Sequence, residues 1–186
     1  MVYTANISDS DYVVAIAGIK DVNIIDVNDT LEKTRYIVSP LHFQFFNADL
    51  IAGWQHIHHS AINAIKAFET GINISKNIEV EILLYSTGQD QIITGFKILG
   101  ISPSTKRVAL IVIGNEKEKT TEICKKVVSE IGNPDDSVLI VDDKKFKKLK
   151  EAFEINENAL NTLKGSKNEK ITNLIIEKSA LLALRR

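Results

Sequence analysis

The chain has 186 residues, 44% of them hydrophobic, with 23 basic against 24 acidic side chains and a formal charge of −1. That length and apolar content fit one globular domain over 1–186 and exclude a disordered chain. A charge this close to zero argues against a broad basic field for gripping nucleic acid, so any anion contact must be local.

The N-terminus has no basic region followed by an apolar stretch, and no secretory signal is expected there. No run approaches the ~20 apolar residues of a membrane-spanning helix. Cys124 is the only cysteine, so no internal disulfide can form, which fits a reducing, cytoplasmic setting. Charge is uneven: residues 1–50 carry a net −4, residues 51–110 a net +1 and residues 111–186 a net +2. An anionic partner should therefore prefer the later part of the chain.

Taken in chain order, Tyr12–Ile19 is a β-branched apolar run and reads as a buried strand. Asn28–Asp29 starts a short helix to Thr34, and Tyr36–Val38 reads as a second brief strand. From Phe43 to Phe68 the apolar positions Phe43, Phe46, Leu50, Trp54, Ile57, Ala61, Ile65 and Phe68 recur at helical steps. They predict one long helix, breakable at Gly53 and stopped by Gly71. Ile78–Tyr85 reads as a strand. Gly88–Asp90 opens a helix to Leu99, closed by Gly100. Val108–Ile113 is the clearest strand, and Glu116–Ile131 an amphipathic helix. Val138–Val141 reads as a short strand. Helices over 144–153, 156–163 and 168–184 finish the chain, the last packed on the domain. The pattern predicts an α/β or α+β domain with a mixed or antiparallel sheet flanked by several helices.

No phosphate loop, dinucleotide fingerprint, zinc-protease motif, CxxC or nucleophile elbow is present, so no catalytic residue is assigned. Nor is any cofactor or resident metal. The nearest approach to a site is His56-Ile57-His58-His59, where His56 and His59 share a helix face. A metal- or ligand-binding α/β enzyme built on this segment is the alternative function, but a zinc or iron site would need further ligands. The ordinary reading puts Trp54 and Ile57 in the core and the histidines on its flank. Cys124, between Ile123 and Val127 on a helix, reads as a buried small hydrophobe.

Three further features concern surfaces. Lys144 to Lys150 holds five lysines in seven residues, with Phe146, Leu149 and Phe153 facing inward and the lysines outward. Such a face can meet phosphates, although most charge runs are simply solvated. Gly88 precedes a predicted helix start, whose free N–H groups suit an anion; Asn73 and Lys76 lie shortly before it and Lys97 further along. The C-terminal helix carries a stripe of Ile171, Leu174, Ile175, Lys178 and Leu182. Leu181 lies beside it, and Ile176, Ala180, Ala183 and Leu184 cover much of the remaining circumference. A terminal helix this apolar is either buried or half-covered by a partner.

Three stretches carry a resemblance: Asn47-Ala48-Asp49-Leu50-Ile51-Ala52-Gly53-Trp54-Gln55-His56, then Asn73-Ile74-Ser75 with Glu79 to Gly88, and Glu177-Lys178-Ser179-Ala180-Leu181-Leu182-Ala183-Leu184. Together they resemble the archaeal PRPK-binding protein family, a subunit of the KEOPS complex, over the whole chain. The resemblance implies a subunit that is not itself an enzyme. It would bind and support the PRPK-like atypical kinase/ATPase, meet other KEOPS subunits through it, and help recruit tRNA by its single-stranded CCA end for threonylcarbamoyladenosine synthesis. It also implies kinase contact at Leu174, Ile175, Lys178, Leu181 and Leu182, and RNA contact at Asn73, Lys76, Gly88, Gln91 and Lys97. Where the family often has a basic residue before Gln91-Ile92 and before Asn73, this chain has Asp90 and Ile72; Lys76, Lys97 or Arg107 would substitute.

Overall fold

The computed structural model describes residues 1–185. In chain order the elements are β1 (Val2–Asn6), β2 (Val13–Lys20), α1 (Val27–Val38), β3 (His42–Asn47), α2 (Trp54–Thr70), α3 (Ile78–Thr87) and α4 (Ile92–Leu99). These are followed by β4 (Val108–Gly114), α5 (Lys117–Ile131), β5 (Asn133–Pro134), α6 (Asp143–Ala152), α7 (Glu157–Thr162) and α8 (Lys167–Ala180). Short 3-10 turns occupy Ala48–Leu50, Asp136–Leu139 and Leu181–Arg185. This is an α+β fold with an antiparallel sheet. It divides into two compact units, residues 1–48 with 100–138, and residues 49–99 with those from Leu139 onward.

The first unit holds the sheet, ordered β1-β2-β4-β3, with β5 pairing the far end of β2 beyond β1. Every pairing is antiparallel; Ala15 stands opposite Val112 and Phe45 opposite Leu110. Alternation along the strands puts Ala15, Ala17, Ile19, Phe43, Phe45, Val108, Leu110 and Val112 on one face. That face packs with Val38 of α1 and Cys124, Val127 and Val128 of α5. The opposite face, including Val14, Ile16, Phe46, Ile111 and Ile113, is buried as well. Two-sided burial explains why β2 and β4 read as unbroken apolar runs.

Several expectations are corrected in this unit. β1 and β5 were not expected. Tyr36–Val38 is not a strand but the last turn of α1, whose N-cap Asp26 accepts from the Asp29 N–H at 2.9 Å. Tyr36 points outward there at 89% exposure while Val38 is buried, so three strand-favouring residues divide between the faces of a helix. Phe43 and Phe46 belong to β3, not to a long helix: in a strand buried on both sides, aromatic spacing imitates a helical stripe. Val138–Val141 is not a strand either; Val138 and Leu139 lie in a 3-10 turn. Cys124 is buried, and desolvation pushes its thiol up to about 12.

One glycine is forced by close approach. A Cβ on Gly132 would stand 2.7 Å from the Lys20 carbonyl oxygen and 2.9 Å from the Ile19 side chain, where β5 meets β2. Gly132→Ala should therefore cost about 1–3 kcal/mol by overpacking, read as a lowered midpoint in urea with an unchanged slope. A midpoint equal to the parent's would show that the strand end yields freely.

The second unit is helical. Its core gathers Ala52, Phe146, Leu149, Phe153, Leu160, Ile171 and Ile175. The predicted break at Gly53 is real: Gly53 is the N-cap of α2, and Gly71, in the left-handed region at φ 70°, is its C-cap. Ile78–Tyr85, expected as a strand, is helix α3, and residues 81–87 of it are all buried. A short helix buried all round has no polar face, so its sequence lacks the 3.6-residue rhythm that would separate it from a strand. α6, α7 and α8 fall close to where they were expected. However, α8 gives way to 3-10 geometry at Leu181 rather than running to Leu184.

Candidate functional site

The α2–α3 loop is built around one carboxylate. Glu81, fully buried, accepts from the backbone N–H of Ile74 at 3.1 Å and of Ser75 at 2.8 Å. The Asn73 amide donates to the Ser75 carbonyl at 2.9 Å, and the Ser75 hydroxyl accepts from the Asn77 N–H. The loop is thus held in one shape from below. It leaves Ile72, Ile74 and the Lys76 side chain in solvent. Sequence reasoning missed Glu81 because it read Ile78–Tyr85 as a strand and gave the acid within it no role in the preceding loop.

The expected RNA residues do not form one cluster. Asn73 and Lys76 lie at the N-terminal end of α3, whereas Gly88 is its C-cap, with φ 63°. Ten residues of helix separate the two ends by about 15 Å. Gly88 therefore ends a helix rather than starting one. It is buried, and a Cβ on it would stand 3.3 Å from the Lys178 carbonyl of α8. Gln91 is exposed, its side-chain Oε1 accepting from the Thr94 hydroxyl, and Lys97 is exposed in the last turn of α4.

Gly88, which ends α3, thus approaches α8 near its C-terminal end, and α4 begins four residues later. The apolar side chains there divide sharply. Ile175 and Leu182 are buried, Leu174 is half-buried against the same core, and Lys178 donates to the Phe153 carbonyl at 2.6 Å. That carbonyl lies just past α6, where helix acceptors lack internal partners. Leu181, by contrast, is 42% exposed and Leu184 80%, and on α4 so are Ile93 at 72% and Phe96 at 41%. Ile93 and Phe96 were not among the expected residues. Their signal was present in the sequence: Ile92-Ile93-Thr94-Gly95-Phe96-Lys97-Ile98-Leu99 carries more apolar side chains than one packed face of so short a helix can cover.

The histidine segment is also arranged differently. His56 is completely buried while Trp54 is only half-buried, the reverse of the flank expected for the histidines. The His56 Nδ1 accepts from the Ala52 N–H at 3.3 Å, and Nε2 donates to the Ser86 carbonyl at 2.8 Å. Ser86 lies in the last turn of α3, so the imidazole satisfies an otherwise unpartnered helix carbonyl. Desolvation, with smaller contributions from Lys145 and His59, lowers His56 from 6.5 to about 4. With both ring nitrogens engaged, His56 has no lone pair left for a metal. Among the described residues, no group of three or more His, Cys, Asp or Glu is placed to hold one.

On α6, Phe146, Leu149 and Phe153 face inward as expected. Not every lysine faces out, however: Lys145 is 1% exposed. One residue before Phe146, it falls within the wide arc that a helix packed on several sides must bury. Lys148 reaches Asp49 at 2.5 Å, and Lys150 pairs with Glu157. No helix among the described residues is long and apolar enough to cross a membrane.

Comparison with known proteins supplies a family. Residues 19–183 match the family model of kinase binding protein CGI-121. A curated relative, the regulatory protein Cgi121 of Methanocaldococcus jannaschii, is 32% identical over 146 residues, covering 78% of this chain and 86% of the relative. The matched span takes in β3, the buried carboxylate loop, α4 and all of α8, so the chain belongs to the CGI-121 kinase-binding protein family.

Proposed function

We propose that this chain is a non-catalytic regulatory subunit of the KEOPS tRNA-modification complex. In this reading it binds the PRPK-like kinase/ATPase, supports its activity, and holds the single-stranded CCA end of tRNA for threonylcarbamoyladenosine synthesis. The observation that carries the reading is the exposure of large apolar side chains on the helical unit, Leu181 and Leu184 after α8 and Ile93 and Phe96 on α4, in a chain of a kinase-binding family. Large apolar side chains left at a surface in this way are the kind that protein docking covers. The kinase would lie across them, with Ile175 and Leu182 holding α8 in place from beneath and Lys178 bracing it.

The RNA end would lie at the α2–α3 loop. Asn73 and Lys76 offer an amide and a cation beside the exposed Ile72 and Ile74, a pairing suited to unstacked bases and one or two phosphates. Gly88, Gln91 and Lys97 would serve RNA only along the opposite end of α3 and the length of α4. The test is co-purification with a PRPK-like kinase and binding to intact and CCA-trimmed tRNA. Kinase capture and loss of most tRNA affinity on trimming are expected, with affinity falling as salt rises. Equal affinity for both tRNAs would remove the RNA half of the reading, and failure to retain the kinase would remove the other half.

A further inference from the structure

A cleft of about 400 Å³ opens between α6, α7 and α8, within the size range of small-ligand sites. It plays no part in the proposed function. Four ammonium groups line it, those of Lys147, Lys150, Lys167 and Lys170, with Glu157 the one carboxylate. Two of the four are already engaged. Lys150 pairs with Glu157, and Lys167 pairs with Asp143 at 3.2 Å while lying 4.1 Å above the Phe146 ring. Lys147 and Lys170 have no carboxylate within ion-pair distance among the described residues.

With Glu157 and Asp143 set against the four lysines, two net positive charges remain around the cleft; they repel each other, and an anion seated among them relieves that repulsion. Ammonium groups are compact, strongly hydrated donors that bind phosphate as point charges. The floor is recessed: Phe146 and Leu160 lie beneath the lysines, and the Asn161 amide joins the wall. A cleft of this volume with an apolar floor suits a compact anion that enters it more than a continuous nucleic-acid backbone passing over it. We propose that the α6–α7–α8 cleft binds a compact polyphosphate group, the part shared by free tripolyphosphate and a nucleoside triphosphate. Lys147 and Lys170 supply the primary contacts, and Lys150 turns to the ligand as Glu157 yields it.

The test uses titration calorimetry of the full chain with sodium tripolyphosphate at low salt. One-to-one binding is expected. The pair Lys147→Gln and Lys170→Gln should weaken it by about tenfold or more, since each cation is a charge-assisted contact. Glu157→Gln should strengthen it, because a repelling charge leaves and Lys150 is released. The exposed α5 pair Lys125→Gln and Lys126→Gln, outside the cleft, should leave affinity unchanged, and circular dichroism checks that each variant is folded. An ATP titration separates the two sources. Equal affinity identifies the phosphates as the whole ligand, and tighter binding of ATP means that its base also uses the apolar floor. Absence of binding, equal losses in both lysine pairs, or weaker binding in Glu157→Gln would overturn the proposal. So would a single-stranded oligonucleotide that binds through Lys147 and Lys170 more tightly than tripolyphosphate does.

Discussion

Ile175→Glu should unfold the helical unit, whereas Leu181→Glu, six residues further on, should leave its melting unchanged and abolish kinase capture. Ile175 has no exposure and sits in the core with Phe146, Leu149 and Ile171. A carboxylate there has no partner, and the cost exceeds about 4 kcal/mol, a large share of any domain's stability. Leu181 is 42% exposed, so a free-subunit carboxylate stays hydrated and changes stability by no more than about 0.5 kcal/mol. In a complex the same carboxylate would be desolvated against the kinase, weakening binding by several kcal/mol. Thermal melts and kinase pull-downs of both variants, with Ile93→Glu as a second exposed site, check the pair. If Leu181→Glu and Ile93→Glu both melt normally and bind like the parent, the kinase docks elsewhere.

Acid should weaken the helical unit through His56. Its folded-state value is lowered to about 4 from 6.5, chiefly by desolvation. Between those values the unfolded chain takes up a proton that the folded chain refuses, so stability is full above pH 6.5 and declines as pH falls toward 4. A difference of that size is worth about 3 kcal/mol. Below pH 4 both states are protonated and the loss levels off. His58, half-buried and also lowered by desolvation, adds in the same direction. Urea unfolding at pH 7, 5.5 and 4 measures the effect. His56→Gln should start lower at pH 7, because the Ala52 N–H and Ser86 carbonyl lose well-placed partners at a cost of about 1–3 kcal/mol. It should then fall less steeply with acid. A variant as steep as the parent would assign the acid sensitivity to other groups.

The elements legible in the sequence were those whose surroundings differ from side to side or are wholly apolar over strand length. α5 and α6 each present one apolar arc against a charged one, and β4 is a run of β-branched and aliphatic residues too short for a buried helix. α3 was not legible because burial on all sides erased its period, and β3 because its phenylalanines continued the rhythm of α2 across the Gly53 break. The candidate site suffered the same loss. Asn73 and Lys76 stand at one end of α3 and Gly88 and Gln91 at the other, and because it is a helix Gly88 closes it as a C-cap instead of opening the next helix. Glu81, which the strand reading left without a role, is the acceptor that shapes the loop.

By itself the sequence determined which segments carry apolar surface, where chains must turn at Gly53 and Gly71, that no catalytic motif is present, and which family the chain resembles. These follow from residue chemistry and local spacing, which act within a few turns of chain. Only the tertiary structure decided which of two leucines near the end of α8 lies inside and which faces solvent, that His56 rather than Trp54 is buried, and that Lys147 and Lys170 meet across a cleft. Identical side chains differ in those positions only through what other elements place beside them. That depends on contacts between residues tens of positions apart, which no local pattern encodes.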